Sequence, residues 1–385
     1  MNSYERFLAA MRGEMPDRVP AASWLGMPLL LQLIPGVQTY TELFRLMIDD
    51  PLSSIVAVQE RLGLDPMVLT QQLHPGEVIT YPDILFTWPA EAMRDWQETR
   101  AVIGQEADHQ VVRRTVRTPE GSLSYTYRLD DHARSTFEHL LKREEDLELL
   151  HYRPDPRLLN IDRLTRMVRL VNKHAVFHHV TPGTWDEACQ LRGINHLALD
   201  MFDRPAWVHR LMRLITDQQV RLMARLAESG IETINYNETW VGFGISPAAY
   251  REFILPYDTE VVQAIHAAGM RVSYHNCGRA RRLLELHADT GADALETLTP
   301  AGRSGDVDLA DAKARVGDRI TLYGGFNERV LYEGTPADVT AEARRCLEAA
   351  AAHGRYILRA TGQIMAASPG NIEAMTEAVR RYGTY

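Results

Sequence analysis

The chain reads as an α/β protein, a (β/α)8 barrel that carries an inserted β-hairpin or meander in its N-terminal half. Three observations predict this. Short apolar runs alternate with amphipathic helices through the second half. Prolines stand at helix starts and glycines at helix ends. One β-rich stretch in the first half breaks the rhythm.

The strand runs are Ala175–Val180, Thr233–Asn237, Val272–Cys277, Ala294–Leu298, Ile320–Gly324 and Tyr356–Arg359. Helices are expected near Pro205–Ser229, Pro247–Ala268, Ala280–Thr290, Leu309–Val316, Pro336–Ala352 and Pro369–Tyr382. Pro247, Pro336 and Pro369 suit a first helical turn, where no backbone N–H is needed. Gly230, Gly269, Gly291, Gly317 and Gly354 follow the helices as stops. Six βα units with short loops mean a parallel sheet. Further strands near Val19–Trp24 and Met67–Thr70 would close it into a barrel. From about residue 78 to 130 the runs ITYPDILFTW, VVRRTVRT and LSYTYRL surround the turn Thr118-Pro-Glu-Gly121, which reads as the insertion. The whole of 1–385 is expected to be one barrel domain, since α/β barrels reach this size as one unit.

Composition narrows the function. The 385 residues include 42 Lys+Arg against 51 Asp+Glu, a net charge of −9. That balance argues against nucleic acid or an anionic membrane surface as partner. Arg113–Arg117 is expected as solvated hairpin surface. The most apolar run, near Trp24–Val37, contains Gln32 and Pro35 and falls short of a membrane span. Cys189, Cys277 and Cys346 are too few and scattered for a disulfide framework, so a cytoplasmic location is expected. Thr184-Trp-Asp-Glu187 has the spacing of a capping box, which makes Cys189 a packing residue in a helix. Cys346 has the same reading.

Barrel enzymes gather their chemistry at the C-terminal ends of the strands. The polar residues there are His178, His179, Asn237, Glu238, His275, Cys277, Glu296, Asn327 and Gln363. The most specific signal is Tyr274-His275-Asn276-Cys277-Gly278. Residues i and i+2 of a strand share a face, so His275 and Cys277 present an imidazole and a thiol together. Glu296, ending the next strand, can add a carboxylate. A His/Cys/Glu set with one open position suits a catalytic zinc. The competing reading is a buried histidine and a small apolar thiol, with Glu296 in a structural ion pair. Glu238 is the candidate general acid or base. His178, Tyr236, Asn237, Trp240, Asn327 and Arg359 are candidates for substrate contact, with Phe243 beside Trp240.

Here the chain resembles the uroporphyrinogen decarboxylase-like superfamily, and within it the methyltransferase-type branches. The resemblance rests on ERFLAAMRGEMPDRVP, VRRTVRTPEGSL, SPAAYREFILPY, YHNCGR, LYGGFNERVLYEGTP and YILRATGQIMAASPGNIEAMTEAVRRYG, and so spans nearly the whole chain. It implies a (β/α)8 barrel and a zinc held by a His-x-Cys pair and a later cysteine. His275 and Cys277 match the pair. Glu296, in GADALETLT, is similar to a zinc-binding glutamate of the cobalamin-independent methionine synthases. The later cysteine would fall at Thr361-Gly362-Gln363, where none stands, which leaves Gln363 near the open position. The resemblance further implies methyl transfer between a small O-, S- or N-methylated substrate and a corrinoid. That cobalamin-type cofactor would come from a partner protein, because no domain for it is recognisable here. The alternatives are a metal-free decarboxylase using Arg359 to anchor a carboxylate, and a non-catalytic ligand-binding member of a corrinoid system. Porphyrinogen decarboxylation itself needs a cationic floor, and residues 21–27, AASWLGM, contain no arginine. The hairpin could serve a homodimer.

Overall fold

The computed structural model describes residues 1–69, 85–106, 108–130, 134–302 and 304–385. In chain order its strands are β1 (Met67–Leu69), β2 (Gln97–Gln105), β3 (Gln110–Thr118), β4 (Gly121–Leu129), β5 (Arg134–Glu138), β6 (Val176–Pro182), β7 (Thr233–Asn237), β8 (Arg271–His275), β9 (Ala294–Thr297), β10 (Thr321–Gly324) and β11 (Tyr356–Ile357). Seven of them form a curled parallel sheet in the order β1-β6-β7-β8-β9-β10-β11. Helices connect successive strands, as parallel pairing demands.

The segment around residues 19–25 completes the ring. Ala22 N–H donates to Leu358 O at 3.1 Å, and Leu358 N–H donates to Pro20 O at 2.9 Å. Bridges join Ala21 to Leu358 and Leu25 to Ile364. On its other side, Asp65 N–H, just before β1, donates to Ala21 O at 2.8 Å. The carboxylate of Asp65, 1% exposed, takes Arg6 at 2.5 Å, Arg18 at 2.9 Å and Ala21 N–H at 2.8 Å. A buried charge at this joint is thus met by two guanidinium groups and a backbone donor.

Strand alternation sorts the apolar side chains into two sets. Met67, Leu69, Val176, Ala294, Tyr323 and Ile357 face the barrel axis. They pack on Phe7, Leu8, Ala10 and Met11 of the N-terminal helix Ser3–Met11, with Ala22 and Trp24. That helix starts on a capping box between Asn2 and Glu5. Its last turn is tied to β10 by Thr321 Oγ1 donating to Ala10 O at 2.7 Å. The alternate residues, such as Val68, Phe177, Ile234, Val272, Leu295 and Leu322, face outward into the layer under the helices.

Two expected helices are interrupted. The stretch 247–268 divides into Pro247–Phe253 and Leu255–Ala267, because Pro256 has no N–H to continue the ladder. The stretch 280–290 begins as a 3-10 turn, Arg281–Leu283, before Leu284–Asp289. Gly230, Gly269, Gly291 and Gly354 hold φ between +70° and +83°, as helix stops do, whereas Gly317 stays right-handed at φ −70°.

The insertion is the meander of the two expected forms. The strands β2-β3-β4-β5 form a separate antiparallel sheet, with Thr118 paired to Gly121 across the expected turn. It extends to Glu138, past residue 130. The expected ITYPDILFTW strand lies partly outside the described residues, as does Thr70. Leu85–Trp88 form only a bridge from Thr87 to Asn160. Val116 and Leu123 dock the sheet onto the main core. Among the described residues, no helix is long and apolar enough to cross a membrane.

Candidate active site

The inward positions near the C-terminal ends of β6 to β9 are polar, and hydrogen bonds run through them. The parallel register sets His178 beside Thr233, Asn235 beside Ser273, and His275 beside Glu296. His178 contacts Thr233 Oγ1 through Nδ1 at 2.7 Å and Ser273 Oγ through Nε2 at 2.9 Å. Ser273 Oγ donates to Glu296 Oε2 at 3.1 Å, and Asn235 Nδ2 donates to the same oxygen. Glu296 Oε2 lies 3.5 Å from His275 Nδ1, which also meets Thr297 Oγ1 at 3.2 Å. The other ring nitrogen, His275 Nε2, is 3.0 Å from Cys277 Sγ. Cys277 is half-buried and is the member of this chain that reaches open space.

A second set closes round it. Arg359 Nη1 stands 2.9 Å from Glu296 Oε1, both side chains being essentially unexposed. The Arg359 guanidinium lies 4.1 Å from the Trp24 ring centroid and 5.5 Å from that of Tyr323. Trp24 also stacks on the His275 imidazole at 5.5 Å and 18°.

These contacts set the charges. For Glu296, burial raises the pKa, but Arg359 and His275 outweigh it and hold the carboxyl down at about 2. For His275, burial favours the neutral ring, but the negative partners Cys277 and Glu296 push its pKa up to about 9. For Cys277, burial is again outweighed, here by His275 and Arg359, and the thiol falls below its ordinary value. Burial takes His178 down to about 4, so it is neutral and serves as a hydrogen-bond link. The opposite shifts of Cys277 and His275 favour passing the thiol proton to the imidazole, with Glu296 steadying the far side of the ring.

The three expected metal ligands do not converge. Cys277 faces Nε2 of His275, and Glu296 faces Nδ1, so the ring stands between sulfur and carboxylate. Among the described residues no group of three His, Cys, Asp or Glu side chains is placed to hold a metal ion. Two donors face one another where a catalytic zinc takes three protein ligands. Glu296 has instead the position of an outer carboxylate that orients a histidine.

The backbone beside Glu296 is strained. Thr297 has φ +91° and Leu298 φ +52°. A β-branched residue there costs about 1–3 kcal/mol, and such strain persists where surroundings impose it. A Cβ at Gly324 would stand 2.3 Å from Thr297 O, so glycine is required opposite the strained residue. Gly242 has a like role at the thiol, because a Cβ there would stand 1.7 Å from Cys277 O.

Several expected site residues lie elsewhere. Glu238 is fully buried, and its oxygens accept from Trp185 N–H at 2.9 Å and Asp186 N–H at 2.8 Å. It caps the helix Thr184–Arg192, whose first N–H groups need an acceptor. The expected capping box is therefore absent. Thr184 Oγ1 donates to Asp258 at 2.6 Å, and a Cβ at Gly183 would strike Glu238. Tyr236 points outward, donating to Asp258 at 2.9 Å, because it alternates with the inward Asn235 and Asn237. Asn237 accepts from Thr239 at the end of β7. His179 also faces outward, edge-on to Phe86. Trp240 and Phe243 pack together at 5.6 Å. Trp240 lines a side cleft of about 1100 Å³ with Trp96, Tyr125 and Phe137, which excludes His275 and Cys277. Asn327 Oδ1 accepts from Arg329 N–H, and the Gln363 carbonyl accepts from Tyr332 Oη at 2.9 Å. Cys189 and Cys346 are buried with raised pKa values, as packing residues should be.

Trp24, Asn235, Ser273 and Thr297 were not singled out from the sequence. For Asn235 and Ser273 a signal existed, since they share inward parity with Asn237 and His275. Trp24 had none, because it meets Arg359 from the opposite end of the chain.

Burial also raises Asp186, to about 6 against an ordinary 3.8, with Gln190 opposing it weakly. Between those values the folded chain holds a proton that the unfolded chain has lost. Stability is therefore expected to fall as pH rises from about 4 to about 6. Urea unfolding across that range should show a shallower slope in Asp186→Asn, and an unchanged slope would refute the assignment.

Comparison with known proteins places this geometry in context. The model of the family described as Uroporphyrinogen decarboxylase (URO-D) matches residues 111–382. The uroporphyrinogen decarboxylases of Chlorobaculum parvum and Pelodictyon phaeoclathratiforme are each 30% identical, over 185 and 188 residues respectively, covering 47% of this chain and 50% of theirs. The chain thus matches about half the length of these curated relatives. A methyltransferase from Methanosarcina mazei superposes over 99% of both chains with a TM-score of 0.66 and 17% identity. That likeness shows the shared barrel fold.

Proposed function

Since the chain belongs to the uroporphyrinogen decarboxylase family, we propose that it is that family's kind of barrel enzyme turned to methyl transfer. It moves a methyl group between a small O-, S- or N-methylated substrate and a corrinoid carried by a partner protein. One observation carries the reading: Cys277 Sγ lies 3.0 Å from His275 Nε2 at the C-terminal end of β8. The corrinoid, when its protein docks, supplies the nucleophile that takes the methyl group. The chain binds and orients the substrate and manages one proton. That proton is shared between Sγ and Nε2, and it passes to the leaving heteroatom as the heteroatom–methyl bond breaks. In the reverse direction the pair takes the proton from a thiol or hydroxyl acceptor. Glu296 keeps the imidazole aligned throughout, as an outer carboxylate does.

The decarboxylase alternative draws on the names of the curated relatives. It is the second reading, and Arg359, whose buried Nε and Nη1 have no hydrogen-bond partner among the described residues, would serve it as the carboxylate anchor. No step is assigned to zinc. Zinc added to the protein is expected to leave on dialysis against a mild chelator, to the same extent in the parent and in Cys277→Ser. Stoichiometric zinc retained by the parent alone would restore the metal as a Lewis acid.

The test of the reading is methyl transfer to free reduced cobalamin from a panel of methoxyaryl, methylamine and methylthioether donors, followed by the cobalamin absorbance. Turnover with at least one donor class is expected. Carbon dioxide release from a small acid without methyl transfer would overturn it in favour of the lyase.

A further inference from the structure

Arg359 is essentially unexposed, yet among the described residues its guanidinium donates no aligned hydrogen bond. Its Nε and Nη1 atoms are buried without a hydrogen-bond partner among the described residues. The 2.9 Å approach of Nη1 to Glu296 Oε1 balances charge but is off-line, and Oε1 is likewise unsatisfied. Buried donors are nearly always paired, so two orphaned guanidinium donors need an explanation. Trp24 and Tyr323 lie against the guanidinium, at 4.1 Å and 5.5 Å from their ring centroids. Aromatic packing uses the faces of the group and leaves its N–H edges for hydrogen bonding. In-plane donors of this kind suit the oxygens of a planar or tetrahedral oxyanion.

We propose that Arg359 is the anchor for an oxyanion on the substrate, a carboxylate or sulfonate. The proposal deepens the methyl-transfer reading and rests on it only for the word substrate. Trp24 touches both Arg359 and the His275 ring. Anchor and reacting thiol pair therefore share one wall, and the substrate is short, with its methylated heteroatom a few bonds from its oxyanion. Glu296 serves both ends, since it orients His275 and competes with the anion for Arg359.

The competition supplies the test. Acetate, methanesulfonate and neutral acetamide are titrated into the folded full chain by calorimetry, with thermal unfolding in parallel. Saturable acetate or methanesulfonate binding is expected, at least ~10-fold tighter than acetamide. Whichever anion binds more tightly names the group. Arg359→Lys keeps the charge beside Glu296 but lacks the planar fork, and it should bind at least ~10-fold more weakly. Glu296→Gln frees Arg359. It should bind acetate more tightly than the parent and gain more thermal stability from it, a response that a purely structural arginine would not produce. Equal binding of acetate and acetamide, parental affinity in Arg359→Lys, or no saturable binding of either anion up to ~100 mM would overturn the proposal. The two readings fail separately. Anion binding without methyl transfer from any donor removes only the methyltransferase, and methyl transfer from uncharged donors without anion binding removes only the anchor.

Discussion

Replacing Cys277 by serine is expected to slow methyl transfer by about 10²- to 10⁴-fold, the range for a lost proton-transfer group. The two side chains have nearly the same shape, so binding should survive. What is lost is the ionisation. A serine hydroxyl does not ionise near neutral pH, so no proton is shared with His275 Nε2, 3.0 Å away in the parent. His275→Gln should have a comparable effect, and the double variant should be little worse than either single one, because the two residues act as a unit. Iodoacetamide offers a check that needs no substrate. It should modify Cys277 well before Cys189 or Cys346, which are buried and have raised pKa values. A Cys277→Ser enzyme within about threefold of the parent, far inside the expected loss, would remove the thiol from the mechanism.

Asp65→Ala is expected to cost about 3–5 kcal/mol of stability, the range for breaking a buried ion pair from one side. Asp65 is 1% exposed and sits where the segment around residues 19–25 meets β1. Its removal leaves Arg6, itself buried, with the half-exposed Asp17 as its remaining charge partner among the described residues. It also strips the acceptor from Ala21 N–H. Asp65→Asn retains an oxygen for Ala21 and should lose less. Urea unfolding at neutral pH measures both. A loss under about 1 kcal/mol would mean that the barrel is closed by its apolar interior alone.

The sequence by itself determined the repeating architecture. Short apolar runs marked Thr233–Asn237 and its neighbours as strands, and proline and glycine punctuated the helices between them. The two-residue period of a strand put His275 and Cys277 on one face, and the structure brings Nε2 and Sγ together. These features are local, since a strand sets side-chain direction within two residues and a helix within four.

Tertiary structure alone decided which partner each polar group meets. Glu238 ends its strand where a catalytic carboxylate was expected, but the unpaired N–H groups of Trp185 and Asp186 lie opposite and claim it. Glu296 stands near the end of β9 where a metal ligand was expected, but barrel closure brings Arg359 against it and sets the His275 ring between it and the thiol. Trp24 reaches the site because the segment around residues 19–25 closes beside Leu358 and Ile364. Charges and backbone donors that lose water on folding must find partners among whatever the fold sets next to them. In a closed barrel those neighbours come from distant parts of the chain, where no local pattern records the meeting.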